Sequence, residues 1–497
     1  MREKYSASGV YDLNLGEGEE RNSGGKGHNG TFSYIAKINY NYADRYLLEL
    51  MGRRDGNSKF AAGHRFKNFG SMSAGWVFTS ESFMQPITKI LNFGKLRLSY
   101  GSSGNDVGLG NYDYTSTISQ GTAVLGNPAQ MYTATSLTNN GLISLTRTWE
   151  KVEQKNIGID LHFLESRLTS SFDYFIKDNN GMLTNVTYPA VLGGTAPKTN
   201  SGHLNVKGWE VTVGWKDHIN DFNYNVSFNM SNTKTMLKEM EGADTYSAGK
   251  NKTVNGYPLN AWFVYRTDGY FKDQAEVDRY YQLYGSKGGA LANVSQGSVY
   301  ELRPGDTKRL DLNGDYMITD AGSKNSDLQY VGDGDPHYVF GINLGADWKG
   351  FDFNIFFQGA AKQLIMRDGY MSYPFRTQYT NQNVSYLGNT WTEDNPNARY
   401  PRLTSYSQRA QWNYQYNDFM LQNNRYIRLK SLVFGYTLPK NLTRKAGLQK
   451  VRVYFSGNDL WEATSIQDGF DPEMGEASNA AGYPFARTWS FGLNVDF

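Results

Sequence analysis

Bulky apolar and small polar residues alternate along most of the chain, from Phe32 to the last residue. Residues 222–231 show it most clearly, with Phe, Tyr, Val, Phe and Met separated by Asn and Ser. Because successive side chains of a strand point to opposite faces, the pattern predicts strands with one apolar and one polar face. It predicts about thirteen such strands, near residues 32–42, 45–54, 70–79, 95–101, 152–163, 168–177, 208–216, 222–232, 338–348, 351–358, 426–438, 450–458 and 488–497.

The predicted connections between these strands are alternately short and long. Tight turns are expected at 43–44, 164–167, 217–221 and 349–350, and long polar stretches cover 102–148, 179–207, 233–336 and 359–424. Transmembrane barrels have short periplasmic turns and long extracellular loops, whereas water-soluble sandwiches seldom show so regular an asymmetry. Aromatic residues also gather at the short turns, where an interfacial girdle belongs. The sequence therefore predicts an all-β fold, a transmembrane antiparallel β-barrel.

Composition changes this picture in two respects. The 497 residues contain no cysteine, which excludes disulfides and thiolate metal sites, and a net charge of +2 offers no argument for a nucleic-acid partner.

The N-terminus lacks the apolar segment of a signal peptide, and an odd strand count differs from the even count of bacterial barrels. We therefore expect residues 1–497 to be the C-terminal portion of a larger barrel, with earlier strands preceding Met1.

Catalytic chemistry has no signature in the sequence. The six histidines show no metal-ligand spacing, and neither G-x-S-x-G, H-E-x-x-H nor a P-loop occurs. The expectation is a protein that is not an enzyme.

One loop segment has the oxygen spacing of a calcium loop. Asp311, Asn313 and Asp315 occupy positions 1, 3 and 5, and Asp320 offers a further carboxylate. Two departures weaken the match, since Tyr316 replaces the invariant glycine and Gly322 replaces the bidentate glutamate. The alternative is an ordinary turn rich in Asp and Asn. No cofactor other than this possible Ca²⁺ is indicated.

Loop aromatics are the candidate ligand-binding residues. Flat rings offer an apolar surface to the C–H faces of sugars. The candidates are Trp412, Tyr414, Tyr416, Trp391 and Trp262. For each one, packing between loops or contact with a lid is the alternative role.

Several strings of the sequence resemble the SusC/RagA family of TonB-linked outer-membrane proteins, and they occur in the family's order. They are RRDGNSKF at 53–60, SAGW at 73–76, LRLSYGSSGN at 96–105, RPGD at 303–306, DLNGD at 311–315, YIRLKSL at 426–432, GYTLP at 435–439, GFDPE at 469–473 and RTWSFGLNV at 487–495. Each string is weak alone, but together they cover nearly the whole chain.

The resemblance implies a plugged barrel of the kind that has 22 strands in large outer-membrane transporters. It implies uptake of oligosaccharides, or of peptides in some members, with a SusD-like surface lipoprotein as partner. It also implies energy from the TonB–ExbB–ExbD machine and a plug domain and TonB box upstream of Met1. The terminal Phe497 is then expected to be a recognition signal for the barrel-assembly machinery.

Three alternatives to this interpretation stay open at the level of sequence. One is a passive porin-like barrel in the outer membrane, and another is a truncated remnant without transport activity. The third is a soluble β-rich protein that binds carbohydrate. The loop asymmetry disfavours the soluble protein, and the family strings favour the energised importer of a Gram-negative outer membrane.

Overall fold

The dominant element of the protein is one antiparallel sheet of thirteen strands, seen in a computed structural model. The structure describes residues 4–5, 16–17, 26–116, 118–127, 130–139, 141–185, 191, 196–241, 246–251, 254–285, 288–320, 326–369, 372–376, 382–475 and 485–497. The sheet strands are β1 Thr31–Tyr42, β2 Tyr46–Asn57, β3 Phe66–Trp76, β4 Leu91–Asn105, β5 Glu150–Phe163, β6 Leu168–Asn185, β7 Lys198–Ile219, β8 Phe222–Glu239, β9 His337–Trp348, β10 Phe351–Lys362, β11 Tyr426–Thr437, β12 Lys450–Thr464 and β13 Thr488–Asp496.

Every strand of the sheet pairs with its neighbours in chain order, so the sheet is a simple meander. In the part of the chain that the structure describes, β1 pairs only with β2 and β13 only with β12, and these two strands are its edges. Each of the thirteen predicted strands is present, which confirms the all-β fold class and the count.

Short turns join the strands at one end of the sheet because residues in the left-handed region fit tight hairpins. At the turn between β9 and β10, Lys349 has φ 47° and Gly350 has φ 93°, as a two-residue hairpin that follows the strand twist requires. Between β1 and β2, Ala43 and Asp44 also have positive φ, and the Asn41 side chain accepts a hydrogen bond from Asp44 N at 3.0 Å. The tight turns predicted at 43–44, 164–167 and 349–350 are confirmed, and the one predicted at 217–221 is shorter, at 220–221, because β7 runs to Ile219.

The two faces of the sheet differ as the alternation predicts. One cross-strand row is apolar throughout, namely Leu96, Ile159, Phe172, Val211, Met230 and Phe340. Residues of this face are exposed even in strands away from the edges, with Leu98 at 49% and Phe172 at 42%. The other face holds ion pairs, such as Arg97 with Asp160 at 2.7 Å and with Asp173 at 2.8 Å. A broad exposed apolar face needs a nonaqueous surrounding.

Aromatic rings mark the short-turn end of the apolar face. Tyr40 and Tyr42 in β1, Tyr46 in β2, Trp348 in β9 and Phe351 in β10 are all exposed. Their place next to the turns is that of the predicted interfacial girdle.

At the opposite end of the sheet, strands β6 and β7 are longer than the sequence predicted. The stretch 179–207 is not a long loop, because β6 continues to Asn185 and β7 begins at Lys198, with a register shift near Met182. The few apolar residues of these extensions do not keep to the apolar face of the sheet, since Leu204 and Val206 stand at even positions and Val211 at an odd one. The alternation that marks the rest of each strand is therefore lost although the backbone ladder goes on.

A glycine in β4 shows how tightly this end packs. A Cβ on Gly104 would stand 2.5 Å from Phe69 Cζ and 2.8 Å from Trp149 Cε3, and both rings are buried. We expect Gly104→Ala to lower the free energy of unfolding of the full-length protein by about 1–3 kcal/mol, measured by urea titration in detergent. Gly52→Ala is the control, since nothing lies within 4 Å of its added Cβ. An equal effect of both changes would contradict the prediction.

The long connections carry their own secondary structure. The helices are α1 Gln274–Tyr284, α2 Ser407–Tyr414 and α3 Lys440–Thr443. The 3₁₀ turns are Phe78–Ser80, Ser82–Ile87, Ala290–Val294, Val384–Tyr386, Asp418–Met420, Arg444–Ala446 and Pro472–Met474. Across the described ranges, the helices are all too short or too polar to cross a membrane.

Short strands complete these connections in pairs or triplets. They are Ile118–Asn127 with Gln130–Asn139, Gly249–Asn251 with Ala261–Tyr265 and Leu328–Asp333, Thr267–Tyr270 with Thr307–Arg309, Leu364–Ile365 with Gln422–Asn423, and Lys4–Tyr5 with Gly16–Glu17. The connections 240–336 and 363–425 pack on each other, and we call them together the loop assembly.

Candidate functional site

The loop assembly has a hydrophobic core of its own, built around the strand Ala261–Tyr265. All five residues of this strand are buried. Ala261, Phe263 and Tyr265 belong to one apolar cluster, whereas Trp262 and Val264 belong to a second one on the opposite face. Because both faces of the strand are covered, it reads as a continuous apolar run rather than an alternating one.

Helix α2 lies between the same two clusters. Trp412 packs into the first cluster and is 3% exposed, and Tyr414 packs into the second and is 1% exposed. The Trp412 indole Nε1 donates to Thr307 O at 2.8 Å, and the Tyr414 hydroxyl donates to Pro401 O at 2.9 Å. Both rings are therefore mainly interior packing residues.

Arg309 is the buried cation of this interior. Its guanidinium is sandwiched between the rings of Tyr265, at 3.8 Å, and Trp412, at 4.5 Å. Nε donates to Asn417 Oδ1 at 2.9 Å, and Nη2 donates to the carbonyls of Trp412 and Gln415, each at 3.0 Å. These carbonyls end helix α2, so the cation also caps the negative end of the helix.

A second buried charge, the carboxylate of Asp306, binds helix α2 through the side chain of Asn413. Asp306, in the Arg-Pro-Gly-Asp turn, accepts from Asn413 Nδ2 at 2.7 Å and from Arg303 N at 2.8 Å. Complete burial raises the pKa of Asp306 to about 6, although Arg402 and Arg409 oppose that shift. The hydrogen bond between Asp306 and Asn413 therefore connects the turn 303–306 to helix α2 in the interior of the loop assembly.

The first of two neighbouring cavities in the loop assembly, the aromatic cavity, has a volume of about 200 Å³. Trp262, Tyr373, Tyr414 and Tyr416 contribute rings to its lining, together with the cationic side chains of Lys250, Arg367 and Arg376. Lys250 Nζ is 5.8 Å from the Trp262 ring centre, and the Arg376 guanidinium is 5.5 Å from that of Tyr373. Asp368 also lines the cavity and pairs with Arg376 at 3.0 Å, and Arg367 pairs with Asp468 at 2.7 Å. Rings beside such paired charges suit a ligand with apolar faces and polar substituents.

The second cavity, which we call the Arg309 cavity, has a volume of about 140 Å³. It shares Gln415 and Tyr416 with the aromatic cavity, so these two residues form the wall between them. Tyr416 adopts the left-handed backbone conformation, with φ 58°, and its carbonyl accepts from Tyr265 N at 2.9 Å. That hydrogen bond fixes the wall to the core strand.

The structure thus brings four of the five predicted aromatics together. Trp262, Tyr414 and Tyr416 line the aromatic cavity, and Trp412 lines the Arg309 cavity with Tyr416. Trp391 lies apart from both, because its ring packs on Gly305, where an added Cβ would stand 2.2 Å from Trp391 Cε3. Ligand contact by these rings stays a prediction.

Three of the four predicted cation ligands, Asp311, Asn313 and Asp315, lie in one turn that is held by its own hydrogen bonds. Asp311 accepts from the backbone N–H groups of Gly314 and Tyr316, and Asp315 accepts from Met317 N at 2.8 Å. Within the described ranges, no three His, Cys, Asp or Glu side chains are arranged to hold a metal ion. Asp320 instead lines the Arg309 cavity. Gly322 lies outside the described residues, and calcium binding stays a prediction.

Sequence reasoning missed the cations of both cavities. Lys250, Arg309 and Arg376 come from three distant segments, and Arg309 lies between the RPGD and DLNGD strings rather than within either. No signal in the sequence pointed to them, because only the packing of the two connections makes them neighbours.

The family model described as "TonB dependent receptor-like, beta-barrel" matches residues 3–329. The chain belongs to this family.

Curated relatives extend the likeness over almost the whole chain. The protein is 29% identical over 483 residues to TonB-dependent receptor P3 of Formosa agariphila, covering 94% of this chain and 45% of that protein. It is 26% identical over 487 residues to TonB-dependent receptor SusC of Bacteroides thetaiotaomicron, covering 94% of this chain and 43% of that protein. The chain thus spans a little under half the length of these relatives.

A solved structure of the RagAB peptide transporter is similar in fold. The TM-score is 0.72 at 21% identity, with 99% of this chain and 50% of that chain covered. The likeness shows the barrel fold, and with the SusC relative it confirms the predicted resemblance.

Proposed function

We propose that this chain is the C-terminal barrel portion of an outer-membrane importer that takes up nutrients with energy delivered through TonB. Membership of the TonB-dependent receptor-like barrel family carries the proposal. The exposed apolar face of the sheet supports a place in outer-membrane lipid, with the short turns periplasmic and the loop assembly outside the cell.

The remaining parts of the importer belong to the same proposal. A plug domain, a TonB box and earlier strands would precede this chain and complete a larger barrel, and TonB–ExbB–ExbD would act through them. Strand β1 presents an edge that such a strand would cover. Phe497, which is 85% exposed beyond the end of β13, would be read by the barrel-assembly machinery.

We further propose that the imported nutrients are oligosaccharides or peptides, delivered with a SusD-like surface lipoprotein. The aromatic cavity supports this ligand range, since it combines rings with cationic and amide groups. The lipoprotein would sit on the loop assembly. Transport rather than catalysis is the proposed role.

Uptake by the full-length protein in a Gram-negative host tests the proposal. We expect a tagged full-length protein to sediment with the outer membrane and to co-purify with a lipoprotein. We also expect it to deplete at least one of maltohexaose, trigalacturonic acid or trialanine from the medium, and deletion of tonB should abolish that depletion because a plugged barrel opens only with energy input. Depletion that persists without tonB would identify a passive pore, and recovery in the soluble fraction would overturn the membrane assignment.

A further inference from the structure

The Arg309 cavity contains a buried cation with an unused hydrogen-bonding position. We propose that this cavity binds a carboxylate group of the imported ligand, with the Arg309 guanidinium as its anchor. The inference deepens the proposed function, on which it rests, by naming the substrate class as acidic.

The hydrogen bonds of Arg309 account for two of its three guanidinium nitrogens. Nε is bonded to Asn417, and Nη2 is bonded to the carbonyls of the α2 terminus. Nη1 makes no hydrogen bond to any described residue, and protein atoms do not enclose it completely. The side chain is only 6% exposed, and it lines the cavity. An acceptor that enters the cavity can therefore bind Nη1.

Charge balance points to an anion as that acceptor. Among the described residues, no carboxylate lies within 4.0 Å of Arg309, whereas the other two arginines buried to a similar degree in this part of the chain, Arg367 and Arg409, each have one. A buried charge without a counter-ion is costly, and an entering carboxylate would supply the missing one. The rings of Tyr265 and Trp412 hold the guanidinium plane still, so little side-chain freedom is lost on binding.

The rest of the lining fits a small polar group that carries the carboxylate. Asn293, Gln408, Gln411 and Gln415 bring amide groups to the cavity wall, and they can donate to or accept from hydroxyls or a peptide bond. The volume of about 140 Å³ limits the occupant to one residue of a chain. The carboxylate could come from an acidic sugar or from the C-terminus of a peptide.

The charge of Asp320 distinguishes an acidic sugar from a peptide as the source of the carboxylate. Its exposed carboxylate lines the same cavity, within electrostatic range of Arg309 but not paired with it. It repels an acidic sugar, whose charges are all negative, and it attracts the ammonium of a short zwitterionic peptide. Asp320→Asn is therefore expected to strengthen the binding of an acidic sugar or to weaken that of a peptide, by roughly twofold to fivefold.

The test is calorimetric binding by the full-length protein purified in detergent, which needs neither TonB nor a cell. The probes are trigalacturonic acid against neutral maltotriose, and trialanine against its C-terminal amide. We expect one carboxylate probe to bind better than its neutral match, and Arg309→Met to weaken it by about tenfold or more. Arg279→Met, which removes an exposed arginine of helix α1, should leave the affinity unchanged.

Two results would overturn the proposal. One is equal binding of the charged and neutral probes, including no binding of either. The other is an Arg309→Met variant that keeps the affinity of wild type. If Arg309→Met does not fold, Asp320→Asn takes its place, because Asp320 is exposed, and an unchanged affinity in both arms then overturns the proposal. Loss of TonB-dependent uptake with intact binding would count against the transport function alone.

Discussion

Replacing Trp412 with alanine is expected to open the loop assembly, at a cost of about 3–5 kcal/mol in its free energy of unfolding. The indole is almost wholly buried, it donates to Thr307 O, and its face supports the guanidinium of Arg309. Removing it leaves a cavity and also strips one side of the sandwich around a buried cation. Both effects destabilise the same apolar cluster, which contains Trp412 and Tyr265.

The measurement is limited proteolysis of the full-length protein in outer-membrane vesicles. We expect the Trp412→Ala variant to be cut faster within 240–336 and 363–425, while the sheet keeps its resistance. Trp412→Phe should fall between the variant and wild type, because it restores most of the packing without the hydrogen bond. Leu387→Ala, at a residue that is 80% exposed in the same assembly, is the control. Wild-type resistance in Trp412→Ala would show that the ring is not part of the core.

Replacing Arg428 with methionine is expected to destabilise the end of β11 and β12 by about 3–5 kcal/mol. Arg428 is 1% exposed and contacts three carboxylates, at 2.5 Å from Glu462, 2.6 Å from Asp471 and 2.9 Å from Glu473. Asp471 and Glu473 belong to the Gly-Phe-Asp-Pro-Glu string, so the arginine fastens that connection to the sheet. Without it, three carboxylates crowd together, and among the described residues Lys430 near Glu473 and the half-exposed Arg487 near Glu462 are left to offset them.

Urea unfolding of the full-length protein in detergent tests this prediction. The matched control is Arg487→Met, because Arg487 also approaches Glu462, at 3.9 Å, but is half exposed. Exposed ion pairs contribute less than about 1 kcal/mol, so the control should unfold near the wild-type midpoint. Arg428→Lys should recover only part of the loss, since a lysine cannot span three carboxylates. Equal midpoints for Arg428→Met and Arg487→Met would contradict the role given to the buried cluster.

The sheet is the part of the fold that the sequence predicted well. Strand β8 reads directly from the alternation of 222–231, because a strand with one face in a nonaqueous surrounding must keep a strict period of two. The same rule failed at Lys198–Lys207, where the ladder continues but most residues are polar, and Leu204 and Val206 fall on the face opposite to that of Val211. The strand predicted at 95–101 is present but continues to Asn105, and the sequence did not show the reason for Gly104, which is the approach of the Phe69 and Trp149 rings.

The candidate site was predicted in its residue types but not in its arrangement. The aromatics were chosen for exposed loops, and Trp262, Trp412 and Tyr414 prove to be buried. A tryptophan in a polar loop looks the same in sequence whether it covers a core or faces solvent. Asp320 was predicted as a cation ligand from its spacing along the chain, which stays a prediction, and the structure shows that it also lines the Arg309 cavity.

The sequence by itself determined the strands, their count, the alternation of short and long connections and the family, because these depend on local periodicity and on strings of adjacent residues. Only the tertiary structure decided that the connections 240–336 and 363–425 share a core, and that Arg309 lies between Tyr265 and Trp412 beside a cavity. Arg309 and Asn417 are more than a hundred residues apart, and their hydrogen bond exists only once two separate loops have packed. No period or motif encodes a contact of that kind, since packing in the assembly depends on shape rather than on repeat.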